Sequence, residues 1–352
     1  WSMAWWSEGL RAANRDPADQ EGWLPAGLNA GWTYRDRVQR PAASVAAFYA
    51  SRYPHSPLAD WQARLAAGEI HRNGEPLHAE APLAAGDRLA WHRPPWREEA
   101  VPATWFVVHD DGDLLVIDKP PGLPVLPAGG WLEHTALRLL ERRHRRDPRG
   151  VPRPVHRLGR FTSGLLVCAH RSATRRWLSA SLRESTAALA PASQPALEGP
   201  QASRPACQKV YRALLAPGGL PESMGPGELL TIRMPIGRRP HLRLGLIWCA
   251  AHEAEAGDLA ALSTLQVLER GSDGDLVEVT IASGRPHQIR IHCAAIGAPL
   301  RGDPLYLVGG GARHDGLPGE GGYWLRAQRL VLPLADGSRL RLEANATHPM
   351  PG

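Results

Sequence analysis

Over residues 277–296 the chain changes its hydrophobic period. Val277, Val279 and Ile281 alternate with Glu278 and Thr280, the period of two that turns one strand face to a core and the other to solvent. From Gln288 to Ile296 the apolar positions Ile289, Cys293 and Ile296 fall at helical spacing, and Gly297 stands where a left-handed residue would end the helix. A strand that runs through a short loop into an amphipathic helix predicts a sheet with a helix packed against it. Similar short strands with interspersed helices recur along the chain, so the expected class is α+β.

Asp113–Asp118 has the apolar density of a buried strand and is stopped by Pro120-Pro121-Gly122. Thr135 to about Arg146 carries Ala136, Leu139 and Leu140 on one helix face and arginines on the other; such a face is either solvated or lies on a phosphate backbone. The tail predicts a hairpin, Arg326–Leu334 and Ser338–Glu343, turned by Asp336-Gly337.

Changes of composition divide the chain. Residues 1–43 are rich in Trp, Ala and Arg without a period and are expected to be an N-terminal extension. Residues 44–96 combine helical stretches with strands turned at Asn73-Gly74 and Gly86-Asp87, a small α+β module. A proline-rich linker at 97–104 leads into a large domain over 105–349, interrupted at about 186–208 by an Ala-, Pro- and Ser-rich insertion.

The net charge is +6, and lysine contributes only Lys119 and Lys209 to it. A basic balance suits a polyanionic partner, although it also occurs in proteins that bind no nucleic acid. In so arginine-biased a chain, the two lysines mark positions where a flexible ammonium is not replaceable by a planar guanidinium. The four cysteines have no C-x-x-C spacing and are expected as core residues in a reducing compartment. The histidines show no ligand spacing, so no metal is expected. No run approaches the roughly 18 apolar residues of a membrane span, and the expected location is cytoplasmic.

Three segments have the character of a site. His156-Arg157-Leu158-Gly159-Arg160-Phe161-Thr162-Ser163-Gly164 runs from a basic loop into a strand, Lys209-Val210-Tyr211 opens another strand, and Gly284-Arg285-Pro286-His287-Gln288-Ile289-Arg290 joins a strand to a helix. Arginine, histidine, lysine and hydroxyl groups with almost no acids suit an anionic ligand, or an ordinary basic surface.

Together the segments resemble the RluA-like family of RNA pseudouridine synthases, over about residues 105–345. His156-Arg157-Leu158 and Thr162-Ser163-Gly164 are similar to its core motif, His-Arg-Leu-Asp followed two residues later by Thr-Ser-Gly. Lys209-x-Tyr211, Gly284 to Arg290, Gly302-Asp303-x-x-Tyr306 and Asp118-Lys119-Pro120 resemble further family motifs. The resemblance implies a mixed, mostly antiparallel sheet, with residues 44–96 as an RNA-binding module. It implies an isomerase that turns a flipped-out uridine of rRNA or tRNA into pseudouridine without cofactor, metal or membrane; the oligomeric state is left open, a monomer being slightly favoured because no coiled-coil or apolar repeat is sustained.

In this family the motif Asp attacks the anomeric ribose carbon, the freed base turns over, and it reattaches through a ring carbon. Here that position is Gly159. By the same resemblance Tyr211 stacks on or deprotonates the uridine and Arg290 pairs with the Asp. RNA or substrate contacts fall to Lys119, His156, Arg157, Arg160, Thr162, Ser163, Lys209, Arg285, His287 and Gln288. Two readings follow: a uridine isomerase with a relocated acid or altered chemistry, and an RNA-binding protein of the same fold without chemistry. A buried guanidinium needs a counterion, so Arg290 is expected to meet another carboxylate, an ordered anion or water. Asp118 and Asp303 are the acids nearest the motifs in sequence.

Overall fold

The computed structural model describes residues 22–184, 207–281, 284–334 and 336–344. Residues 1–21 of the extension expected at 1–43 and nearly all of the insertion expected at 186–208 lie outside these residues.

The N-terminal module is a four-stranded sheet of β1 (Trp32–Arg37), β2 (Ile70–Arg72), β3 (Glu75–Leu77) and β4 (Arg88–Arg93), in the order β1-β4-β2-β3. Helices α1 (Val45–Arg52) and α2 (Leu58–Ala66) belong to the same module. Ser44 caps α1 by accepting a hydrogen bond from the Ala47 amide. An aromatic core closes the unit: Tyr49 stacks on Trp61 at 4.8 Å, and Trp91 meets Trp61 edge-on at 4.8 Å. The two turns anticipated from sequence are clipped together, because Asn73 donates to Asp87 at 3.0 Å and Arg72 pairs with Asp87 at 2.7 Å. The module begins earlier than the composition change at residue 44, since β1 pairs with β4 along its whole length.

The stretch expected as a linker is instead stapled. Gly27–Leu28 pairs with Arg97–Glu98, and Trp23–Leu24 pairs with Val101–Pro102. The buried Glu98 carboxylate accepts from the Asn29 amide group at 2.6 Å and from the backbone of Glu133 and His134. A buried carboxylate with that many donors holds the strap to the larger domain.

The large domain is built on a ten-stranded sheet. In chain order its strands are β5 (Phe106–Asp110), β6 (Leu114–Lys119), β7 (Arg153–Pro154), β8 (Ser163–Ala169), β9 (Gln208–Leu215), β10 (Leu229–Ile232), then, beyond a separate hairpin of β11 (Ile236–His241) and β12 (Gly245–Ala250), β13 (Ser263–Gly271), β14 (Gly274–Ile281), β15 (Leu325–Pro333) and β16 (Arg339–Glu343). The spatial order is β10-β13-β14-β9-β15-β8-β6-β5, with β7 beside β8 and β16 beside β15. Among the described residues only β8 with β15 is parallel; the other pairings in this sheet are antiparallel. Every residue of β6 and β8 is buried, as their apolar runs require of central strands.

Helix α3 (Ala136–Arg143) buries Ala136, Leu139 and Leu140, as the spacing predicts. On its outer face Arg138 pairs with Glu141 at 2.6 Å and Arg142 with Glu133 at 2.9 Å. Helix α4 (Ser172–Glu184) follows β8, and α5 (Gln288–Ala295) follows β14. Gly297, at φ 90°, ends α5 in the left-handed conformation. All four cysteines are buried free thiols. Among the described residues no helix is long and apolar enough to cross a membrane.

Candidate active site

The three motif segments, distant in sequence, line one cleft of about 440 Å³. His156 and Arg157 come from the loop before β8, Lys209 and Tyr211 from β9, Gly284 and Arg285 from the loop after β14, and Ala327, Arg329 and Leu330 from β15. The sheet register brings them together: Tyr211 sits between Val279 on β14 and Ala327 on β15, and Gly164 of β8 pairs with the same Ala327. Gly164 has φ 98°, and a Cβ on it would overlap the Ala327 carbonyl oxygen. The last residue of Thr-Ser-Gly is therefore demanded by backbone approach at the parallel pair.

The Val167 amide donates to His156 Nε2 at 3.0 Å, so that nitrogen carries no proton. Burial, reinforced by Lys209, lowers the imidazole pKa to about 4 and keeps it neutral near pH 7. Lys209 is buried and donates to the Leu182 carbonyl at 2.7 Å; burial lowers its pKa. Gly284 leaves room for it, since a Cβ there would lie 3.1 Å from Lys209 Nζ. Burial pushes the Tyr211 phenol up to about 12. A phenol held protonated suits stacking on a base better than taking a proton from one. Arg157 is exposed at the rim, and half-buried Arg285 donates from Nε to the Ala260 carbonyl at 3.0 Å.

A second group of side chains lies at the start of α5. His287 caps this helix with φ 54°, ψ 19°, a left-handed conformation uncommon outside glycine. The Tyr306 hydroxyl donates to the Trp248 carbonyl at 2.9 Å and lies 2.7 Å from His287 Nδ1, so Nδ1 is the donor to Tyr306. Burial, together with Arg290, lowers the His287 pKa to about 3.

Arg290 is buried in α5 and paired. Its Nε donates to Asp303 Oδ2 at 2.7 Å and its Nη2 to Oδ1 at 2.6 Å, the two-pronged geometry that suits guanidinium and carboxylate. Its guanidinium carbon also lies 4.1 Å from the Tyr323 ring centre and 5.0 Å from that of Tyr306. Burial opposes the charge, yet the Asp303 hydrogen bonds and the nearby Tyr323 raise the Arg290 pKa. The counterion anticipated for Arg290 is therefore Asp303. Asp303 Oδ1 also accepts from the Leu305 and Tyr306 amides at 2.9 and 3.2 Å, and the side chain is 0% exposed. Saturated in this way, it anchors and does not attack. Asp118 is committed elsewhere, accepting from Arg326 at 2.6 Å.

Gly159 is exposed, and the space a side chain would take there is occupied. A Cβ on Gly159 would overlap the Tyr323 hydroxyl and lie 3.2 Å from Thr162 Oγ1. These two hydroxyls are themselves 3.2 Å apart. Tyr323 belongs to no motif and has no periodicity that singles it out; only the fold places it against Gly159.

Several residues expected to contact RNA make hydrogen bonds within the protein. Lys119 is fully buried and donates to the Pro120, Leu123 and Arg160 carbonyls at 2.8, 2.7 and 3.0 Å, which uses all three ammonium hydrogens. Burial drives its pKa well below the usual lysine range. Gln288 gives its amide hydrogens to the Leu262 carbonyl and Ser263 hydroxyl and accepts from the Arg285 amide. Arg160 holds the Gly122 carbonyl at 3.1 Å and Glu99 at 2.9 Å while lying over Trp131. Ser163 is buried, with its hydroxyl 3.5 Å from the Leu325 carbonyl. Loops with unusual backbone paths need side chains to satisfy their carbonyls, and these motif residues meet that need.

Two histidines, spaced without pattern in sequence, meet an acid among the described residues: ligand atoms of His144, Asp147 and His170 lie within 4.8 Å of one another. Asp147 there is already held by Arg149 at 2.8 Å and by His144 at 3.1 Å.

Residues 113–295 match the RNA pseudouridylate synthase family. The chain is 38% identical over 285 residues to an uncharacterized RNA pseudouridine synthase of Synechocystis sp., covering 80% of this chain and 87% of the relative. It is 35% identical over 344 residues to RNA pseudouridine synthase 5 of Arabidopsis thaliana, covering 87% and 89%. It is 31% identical over 271 residues to ribosomal large subunit pseudouridine synthase D of Pseudomonas aeruginosa, covering 74% and 72%. With His156, Arg157, Lys209, Tyr211, Gly284 and Arg285 of its motifs on one cleft of a mostly antiparallel sheet, this chain belongs to the RNA pseudouridine synthase family of isomerases.

Proposed function

We propose that the protein isomerises a specific uridine of structured RNA, ribosomal or transfer RNA, by drawing the nucleotide out of its stack into the cleft between β9, β14 and the loop before β8. The observation that carries this reading is the convergence of His156, Arg157, Lys209, Tyr211, Gly284 and Arg285 on one cavity of about 440 Å³. That size is within the roughly 300–1,000 Å³ of small-ligand sites. Tyr211 offers an aromatic face on which a flipped base stacks. Arg157 and Arg285, toward the rim, suit the phosphates that flank it, and the net charge of +6 favours approach to a polyanion.

The reaction moves the glycosidic bond from N1 to C5, so C5 loses its hydrogen as a proton. Transcripts carrying uridine tritiated at C5 therefore report turnover as tritium released to water. Release from transfer or ribosomal RNA transcripts by the protein, abolished by Tyr211→Ala, is the expected result. Tight RNA binding with no release from either would instead support an RNA-holding role and refute the proposal.

A further inference from the structure

The family's chemistry needs a group at the anomeric carbon, and Gly159 supplies none. We infer that the Tyr323 hydroxyl takes the place and the task of the missing carboxylate, an inference that rests on the uridine isomerase reading above.

The geometry is that of a replacement. A Cβ at 159 would overlap the Tyr323 oxygen, and the Tyr323 Cζ lies only 3.6 Å from that Cβ position. Thr162, of the same motif, is the hydrogen-bond neighbour of this oxygen at 3.2 Å. Arg290, which in the family serves the carboxylate, has its guanidinium 4.1 Å from the Tyr323 ring centre. Tyr323 is buried and joins the apolar cluster against which Tyr211 packs, so the oxygen is shielded from bulk water. The residue against this oxygen is Gly159, itself exposed and without a side chain. The other acids near the motifs, Asp303 and Asp118, are locked in buried ion pairs.

A phenol is chemically equal to the step; some glycoside hydrolases use a tyrosine nucleophile. A bond forms from the Tyr323 oxygen to C1′ as the N1–C1′ bond breaks, and the phenolic proton passes to N1 of the departing uracil. The base turns over and C5 bonds to C1′ as the O–C1′ bond breaks. The C5 hydrogen then returns as a proton to the phenolate. The product keeps the new N1–H, the enzyme is regenerated, and no oxidant, reductant or co-reactant enters.

The test uses tritium release by the full chain, by Tyr323→Phe and by Gly159→Asp combined with Tyr323→Phe. Phenylalanine keeps the ring over Arg290 and removes the oxygen that a Cβ at position 159 would overlap, leaving that Cβ 3.6 Å from the ring carbon that bore it. The expected result is a fall in kcat of at least about 100-fold for Tyr323→Phe with KM and melting temperature little changed, and recovery of at least about 10-fold in the double variant. A smaller loss in Tyr323→Phe, a loss confined to KM, or a double variant no faster than the single one overturns the inference while the isomerase reading stands. A wild-type chain without activity removes both, and if the double variant is then active, the hydroxyl merely fills the space.

Discussion

Replacing Asp303 by Asn isolates what the buried pair does for the fold. Arg290 and Asp303 are 3% and 0% exposed at their side chains, and two hydrogen bonds of 2.7 and 2.6 Å join them. Asparagine retains an oxygen for the Leu305 and Tyr306 amides but leaves the Arg290 charge without a counterion. Breaking a buried pair from one side costs about 3–5 kcal/mol. At about 2–4 °C per kcal/mol for a domain of this size, the melting temperature should fall by about 6–20 °C. The companion is Arg290→Met with Asp303→Asn, which removes both charges and keeps an acceptor for the two amides. Because desolvation offsets most of the attraction within such a pair, the double variant should recover at least half of the loss. Urea unfolding of the two variants beside the wild type measures this directly. A loss below about 1 kcal/mol in Asp303→Asn, the range of a surface pair, would refute the argument.

Other outcomes follow from the same geometry. Gly164→Ala combines a left-handed φ of 98° with overlap on the Ala327 carbonyl and should lower stability by about 2–5 kcal/mol in urea unfolding; a change below about 0.5 kcal/mol would contradict the packing at β8 and β15. Lys119→Met should lower stability and leave RNA affinity unchanged in a filter-binding assay, because its ammonium serves three carbonyls; weakened binding at an unchanged melting temperature would restore it to the RNA surface. His156 and His287 have pKa values lowered to about 4 and about 3, so below the unfolded value near 6.5 the unfolded chain takes up protons that the folded one refuses. Their contribution to stability is complete above about pH 6.5 and is lost as pH falls toward 4 and 3, with a slope of up to about 1.4 kcal/mol per pH unit for each group. His156→Gln should flatten that slope between pH 4 and 6.5, and an unchanged slope would count against its burial. Arg157→Ala should weaken RNA binding and reduce the slope of log affinity against log salt by about 1, with the melting temperature unaltered; an unchanged salt slope would remove Arg157 from the phosphate contacts.

What a chain segment does alone was readable from residue order. The alternation at 277–281 and the helix closed by Gly297 are local patterns, because strand and helix periods are set within a few residues. The turns at Asn73-Gly74 and Gly86-Asp87 were equally legible, although the bond between Asn73 and Asp87 was not. The motif strings identified the family's chemistry and exposed the departure at Gly159, since a missing side chain is visible without coordinates. The limits of the N-terminal module were misplaced because β1 pairs with β4 across two helices and two strands, and sheet pairing leaves no local mark on the sequence.

The roles of individual motif residues divided along the same line. Lys119, Gln288 and Arg160 looked like ligand contacts because their types suit an anion, and the same donors suit buried carbonyls. Only burial and partner geometry distinguish the two uses. Asp303 was visible as a candidate counterion because it stands in a motif, but its bidentate hold on Arg290 depends on how the loop after α5 folds back. Tyr323 had no local signal at all. Residue order by itself determined the elements, the family and the absent carboxylate; tertiary structure alone decided that Asp303 neutralises Arg290 and that a tyrosine hydroxyl fills the space at Gly159, because both depend on contacts between segments that only the closed sheet brings together.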